Sequence, residues 1–161
     1  MPPSRTCEIG TREEWILRLL YAPDEEGHSR PLYGRKRLMK AMFLLQRKLE
    51  ENFEKSAGFD FTAKKYGPYD SGVARALDCL TEFQYVRPTR EQFHSSEYEG
   101  DELALTPKGK RKAGQLYDRL SEREQQLLHW VKYKQSMRSL GALMSYVYME
   151  YPEMTADSTS A

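Results

Sequence analysis

Leu38, Met42, Leu45, Leu49 and Phe53 recur at steps of four, three, four and four residues. That is the period of one buried face of an α-helix, here widened by Met39 and Phe43. The spacing predicts a long helix from about Arg35 to Lys55, with the core of the domain laid along it. Its opening is basic (Arg35, Lys36, Arg37, Lys40) and its end carries Glu50, Glu51 and Glu54. This order opposes the helix dipole and costs a little stability, so the basic start has some other use.

Shorter elements can be placed around this helix. Thr11 to Glu14 reads as a capping box that opens a first helix with Trp15, Ile16, Leu19 and Leu20 as its stripe. That helix ends before Pro23, and Asp24 to Ser29 is an exposed loop. Phe59 to Ala63 alternates like a short strand. In KKYGPYDSGVARALDCL, Tyr66, Gly67, Pro68 and Tyr69 form a structural turn, after which Asp70 or Ser71 caps a helix. Val73, Leu77, Leu80 and Phe83 would face inward on it, with Arg75, Asp78 and Glu82 outward.

A strand from Tyr85 through Arg90, a polar segment from Glu91 to Asp101 and a strand over Glu102 to Thr106 make a long-looped hairpin. Thr106 and Pro107 open the next helix as cap and first residue, with Ala113, Leu116, Tyr117 and Leu120 inward. Ser121 to Glu124 is a second capping box, and Ser139 opens a last helix over Leu140, Leu143, Met144, Val147 and Tyr148. The fold class expected from this order is α+β, mainly α: a winged helix-turn-helix with a small antiparallel β-hairpin wing and additional C-terminal helices. Residues 1–10 are expected to be loosely ordered, 11–152 to form one domain, and 153–161 to be a tail.

With 161 residues and mean hydropathy of −0.79, the chain has an ordinary soluble composition. It has no apolar run of membrane-spanning length, and its first ten residues lack a signal-peptide core, so a cytoplasmic protein is expected. Two cysteines, Cys7 and Cys79, fit reduced thiols better than a disulfide framework, with Cys79 a small buried apolar residue.

Motifs for chemistry are scarce. His28, His94 and His129 are far apart and none pairs with a cysteine at zinc spacing, so no metal is expected. The chain lacks a G-x-S-x-G elbow, a P-loop, a dinucleotide fingerprint and an H-E-x-x-H pair, so no catalytic residue and no cofactor is expected either. Enzyme is the weakest class.

Basic clusters are the better lead. Six Lys/Arg and no acid lie between Tyr33 and Leu49, and five against Asp118 alone lie between Pro107 and Leu120. Lys64, Lys65, Arg87, Arg90, Lys108, Lys110, Arg111 and Lys112 are the candidate nucleic-acid contacts, all to phosphates. Base readout is not expected, because Asp78 and Glu82 on the outer face of the third helix would repel the groove.

Arg37 to Gln46, Tyr66 to Ser71, Leu105 to Gly109 and the ending from Ser139 through Glu153 resemble the bacterial and archaeal winged-helix family allied to the SocA or Panacea-type antitoxins. The resemblance implies a non-enzymatic module that works by binding, as a toxin-neutralising partner, a proteolytic adaptor or a regulator. It carries over no catalytic residue. Two expectations follow: a regulator that binds DNA through phosphate contacts, with a homodimer as its natural form, or an antitoxin or defence-system accessory that binds protein. The many tyrosines favour an interface.

Overall fold

The computed structural model describes residues 7–90 and 101–155. The polar segment over residues 91–100, with His94 and Tyr98, and the tail over 156–161 therefore lie outside the described residues. In chain order the elements are α1 (Thr11–Tyr21), β1 (Leu32–Tyr33), α2 (Arg35–Phe53), β2 (Thr62–Lys64), β3 (Gly67–Tyr69) and α3 (Ser71–Glu82). Then follow β4 (Val86–Arg90), β5 (Asp101–Leu105), α4 (Pro107–Asp118) and α5 (Glu122–His129). A π-helical stretch (Trp130–Gln135), α6 (Leu140–Glu150) and a final 3-10 turn (Pro152–Met154) complete the order. The fold is α+β and mainly helical.

β1, β5 and β4 form an antiparallel sheet in that order, with Leu32 opposite Leu103 and Val86 opposite Leu105. β2 and β3 form a separate hairpin. Two-residue β1 carries too little periodicity to be legible in the sequence.

The stripe on α2 understates its burial. Every residue from Arg37 to Gln46 is buried, not one face alone. The reason is that α2 runs between two clusters: a large one holding α1, α3 and the sheet, and a smaller one made by Phe43, Leu44, Leu143, Val147, Tyr151 and Met154. Phe43 meets Phe61 and Tyr151 edge-on at centroid distances of 5.4 and 5.3 Å, a well-packed position where truncation to Ala costs about 3–5 kcal/mol. The buried polar groups on α2 have partners. Arg37 donates to the carbonyls of Ser136 (3.1 Å) and Arg138 (2.8 Å), and Gln46 exchanges two hydrogen bonds with the Phe59 backbone. The packing also runs past Pro152 into the stretch expected as tail: Met154 is buried and Glu153 pairs with Arg47 at 2.8 Å.

Helix starts follow the capping residues closely. Asp70 accepts from Gly72 N (2.7 Å), Thr106 from Gly109 N (2.9 Å), Ser121 from Glu124 N (3.2 Å) and Ser139 from Ala142 N (3.1 Å). The first helix differs by one residue. Gly10, not Thr11, is its cap, and Glu13 accepts from Gly10 N at 2.9 Å. At Gly109 a Cβ would overlap the Tyr85 carbonyl, so the absent side chain lets α4 start directly against the backbone just before β4. Phe83, expected inward on α3, instead lies outside, stacked on Tyr85 at 5.9 Å. It is the C-cap of α3, where the helix has already turned away from the core.

Candidate binding groove

The segment read as a four-residue turn divides differently. Gly67 to Tyr69 is strand β3, paired with β2 so that Lys64 faces Gly67 and Thr62 faces Tyr69, and the turn between them is made by Lys65 and Tyr66. The alternation from Phe59 likewise resolves into a strand only from Thr62. A strand this short, containing proline and glycine, has the composition of a turn, and its pairing with β2 decides the matter. Gly67 has φ +107°, and a Cβ there would sit 2.5 Å from Met144 Cε and 3.2 Å from Lys40 Cε. Glycine thus lets the hairpin lie against both α2 and α6.

Beside this contact is a groove of about 540 Å³. Its floor is sulfur and aromatic: Met39 from α2, Met144 and Tyr148 from α6, and Tyr69 from the hairpin. Its charged lining is cationic, with Arg35, Lys36 and Lys40 from α2 and Lys65 from the hairpin turn. No carboxylate lines it among the described residues. Arg35 is engaged, its guanidinium 2.7 Å from the Asp78 carboxylate. Lys40 is different: it is buried, and that burial, followed by the nearby charge of Lys36, lowers its pKa. The basic start of α2, which runs against the helix dipole, therefore has two uses. Arg37 ties down the turn before α6, while Lys36 and Lys40 charge the groove.

Of the eight expected phosphate contacts, only Lys65 lies on this groove; Lys64 is exposed on the neighbouring strand. Arg87 and Lys108 line a separate cleft of about 440 Å³ with Thr81 and Gln84. Lys108 donates to the Phe83 carbonyl at 2.8 Å and lies over the Tyr85 ring at 4.9 Å. It caps the carboxyl end of α3, which is a structural use for its charge. Lys110 and Arg111 are exposed on α4 and Lys112 is half-buried. Arg90 stands opposite Asp101 in the sheet register. The eight cations are therefore spread over different elements and at least two clefts.

On α3 the exposed residues are Arg75, Asp78 and Glu82, as the helical spacing predicts. A third cleft, about 660 Å³, lies between this face and the N-terminal segment, where Glu8 and Glu13 add two more carboxylates. Arg12 and Arg75 lie among them. The segment is fastened there by a disulfide from Cys7 to Cys79, with Cα atoms 5.5 Å apart. This corrects the expectation of two reduced thiols. Cys79 is buried, as expected, but it points toward a chain end that periodicity could not place.

Asp24, Glu26 and His28 have ligand atoms within 4.8 Å of one another. The Asp24 carboxylate is already used: it accepts from the backbone N–H groups of His28 and Glu26 and from Arg30, all at 2.8–2.9 Å. These bonds, that from His28 foremost, hold its pKa far below the usual carboxylate range. The cluster is accounted for as an Asx-type turn.

Buried titratable groups serve packing. Burial works against the charge on Glu124, yet hydrogen bonds from Lys55 and from Ser121 outweigh it and lower its pKa. No helix among the described residues is long and apolar enough to cross a membrane. No protein-family model and no curated protein matches the chain.

Proposed function

We propose that the chain is a winged-helix module that acts by binding another protein. The order α1, β1, α2, α3, β4, β5, with β1 beside β5 and β5 beside β4, supports the winged-helix assignment, β4 and β5 being the wing. On this view β2 and β3 are an insertion between the second and third helices, and the segments from α4 onward extend the core.

One observation carries the choice of protein over duplex DNA. The face of α3 that would enter a major groove presents Glu82 and Asp78, the latter paired with Arg35, and Glu8 of the disulfide-fastened segment and Glu13 of α1 stand beside them with Arg12 and Arg75. With four carboxylates against Arg12 and Arg75, the cleft lacks the excess of positive charge that phosphates need. Exposed Arg87, Lys110 and Arg111 favour the second reading, phosphate contact without base readout.

The two are separated by titrating a generic duplex at about 50 and about 200 mM salt, a range over which phosphate binders lose affinity steeply. The protein-binding reading expects no retention at the higher salt and a stoichiometric protein partner on co-expression with neighbouring genes. Tight, salt-dependent duplex binding that is lost in Lys110→Ala/Arg111→Ala, with no protein partner recovered, would overturn it.

A further inference from the structure

We propose that the groove between the start of α2, the β2–β3 hairpin and α6 is the docking site for an acidic, amphipathic peptide segment of the partner. The segment would seat one or two large apolar side chains on Met39, Met144 and Tyr148 and set its carboxylates against Lys36, Lys40 and Lys65. This deepens the protein-binding reading above and rests on it.

Three features point the same way. The first is charge complementarity. Four cations and no carboxylate line the groove, and only Arg35 has an ion-pair partner among the described residues. The Lys40 side chain is buried, with no hydrogen bond or ion pair among the described residues, and its lowered pKa means that an incoming carboxylate would favour its charged form. The second is the floor. Methionine side chains adapt to whichever apolar group is offered, and tyrosines supply rigid contact area at small entropic cost. The third is exposure. Tyr66 and Tyr69 are 74% and 43% exposed and both line this groove; among the described residues the other exposed large apolar side chains are Phe83 and Met149.

A single nucleic-acid strand would also offer anions and flat rings. The surroundings argue against it. The cations converge on one short groove, and the adjoining face of α3 is acidic, so a strand leaving the groove on that side would run its phosphates past Asp78 and Glu82. A compact segment with two or three carboxylates around an apolar anchor has no such exit.

The test uses the full chain labelled with 13C at its methionine methyls, which reports Met39 and Met144 directly. Four probes are titrated: a short helical peptide with Leu and Phe at helical spacing and Glu between them, the same composition scrambled, the same peptide with Lys for Glu, and an oligothymidine. The proposal expects the acidic amphipathic peptide alone to shift both methyls saturably while the methyl of buried Met42 stays in place. It also expects Lys36→Glu/Lys65→Glu to weaken that binding at least about tenfold, with an unchanged melting temperature because both lysines are exposed.

Equal binding of the scrambled peptide would overturn the proposal, reducing the site to diffuse charge. So would a response to oligothymidine in place of the peptide, or self-association broken by Lys36→Glu/Lys65→Glu, which would make a second copy the occupant. A partner that co-purifies undiminished with Lys36→Glu/Lys65→Glu sinks the groove while leaving the protein-binding reading intact.

Discussion

The Lys132 ammonium lies 2.8 Å from the carbonyl oxygen of Leu20, and it reaches that of Ala22 at 3.0 Å as well. Lys132 is fully buried in the π-helical stretch, and the two oxygens belong to the carboxyl end of α1, where carbonyls have no helical partner. Tyr133 donates to the Ala22 oxygen too, at 2.6 Å. A lysine that pattern reading would leave on the surface thus joins the last helical layer to the first.

This placement sets a pH dependence. Burial lowers the Lys132 pKa to about 7, with the charge of Asp24 opposing the shift. Between about pH 7 and the ordinary lysine value of about 10.4, the unfolded chain binds more protons than the folded one, so stability rises with pH across that window. Below about pH 7 the cost of a buried charge is fully present. Above pH about 10 the trend reverses, because Tyr133, pushed up to about 12 mainly by burial, ionises more easily once unfolded. Urea midpoints should climb from pH 7 to 9.5 in the native chain and less steeply in Lys132→Met, where the lowered Lys40 still contributes. The variant should also be less stable at pH 9.5 by about 1–3 kcal/mol, since the Leu20 carbonyl loses its donor while that of Ala22 keeps Tyr133. Parallel pH profiles for the two proteins would contradict this account.

Cys7 and Cys79 close a loop of 72 positions in sequence. In the chain-entropy picture such a cross-link stabilises by about 4 kcal/mol. Cys7→Ser, or a dithiol reductant with the native chain, should lower the urea midpoint by a corresponding amount. Alkylation of the native, unreduced protein should label neither cysteine. Two freely alkylated thiols would show that the bond does not form.

Gly67→Ala tests how the hairpin sits on the groove. The positive φ costs an alanine about 1–2 kcal/mol, and the added methyl meets the flexible ends of Met144 and Lys40. Those ends can move, so the fold should survive with a modest loss of melting temperature while the Met144 methyl resonance shifts. Combined with Met144→Ala, the loss should be less than additive, since the clash is already relieved. Strict additivity would mean that the two residues do not meet.

Much of the framework was legible because it rests on local chemistry. Asp70, Thr106, Ser121 and Ser139 each cap the helix they were expected to cap, and Arg75, Asp78 and Glu82 point outward at the predicted spacing. What escaped depends on long-range pairing. Gly67 to Tyr69 becomes a strand only because Thr62 to Lys64 lies beside it, and the disulfide needs the N-terminal segment folded over α3. The groove was hidden for the same reason: Met39 and Lys40 meet Met144 and Tyr148 from the far end of the chain. Its one trace in the sequence was the basic start of α2, set against the helix dipole with no local reason.

The cations of α4 separate on the same grounds. Lys108 holds the Phe83 carbonyl and the Tyr85 ring, whereas Lys110 and Arg111 are exposed one turn further along without an ion pair or hydrogen bond among the described residues. Lys108→Ala should therefore destabilise the protein by about 1 kcal/mol, the net worth of one hydrogen bond at a helix end. Lys110→Ala/Arg111→Ala should leave the urea midpoint within about 0.5 kcal/mol of native, as exposed substitutions do. Chemical denaturation of the two variants side by side checks this. If Lys108→Ala is silent in stability and instead weakens binding to a duplex, its contact with the end of α3 is incidental and its charge belongs to a ligand.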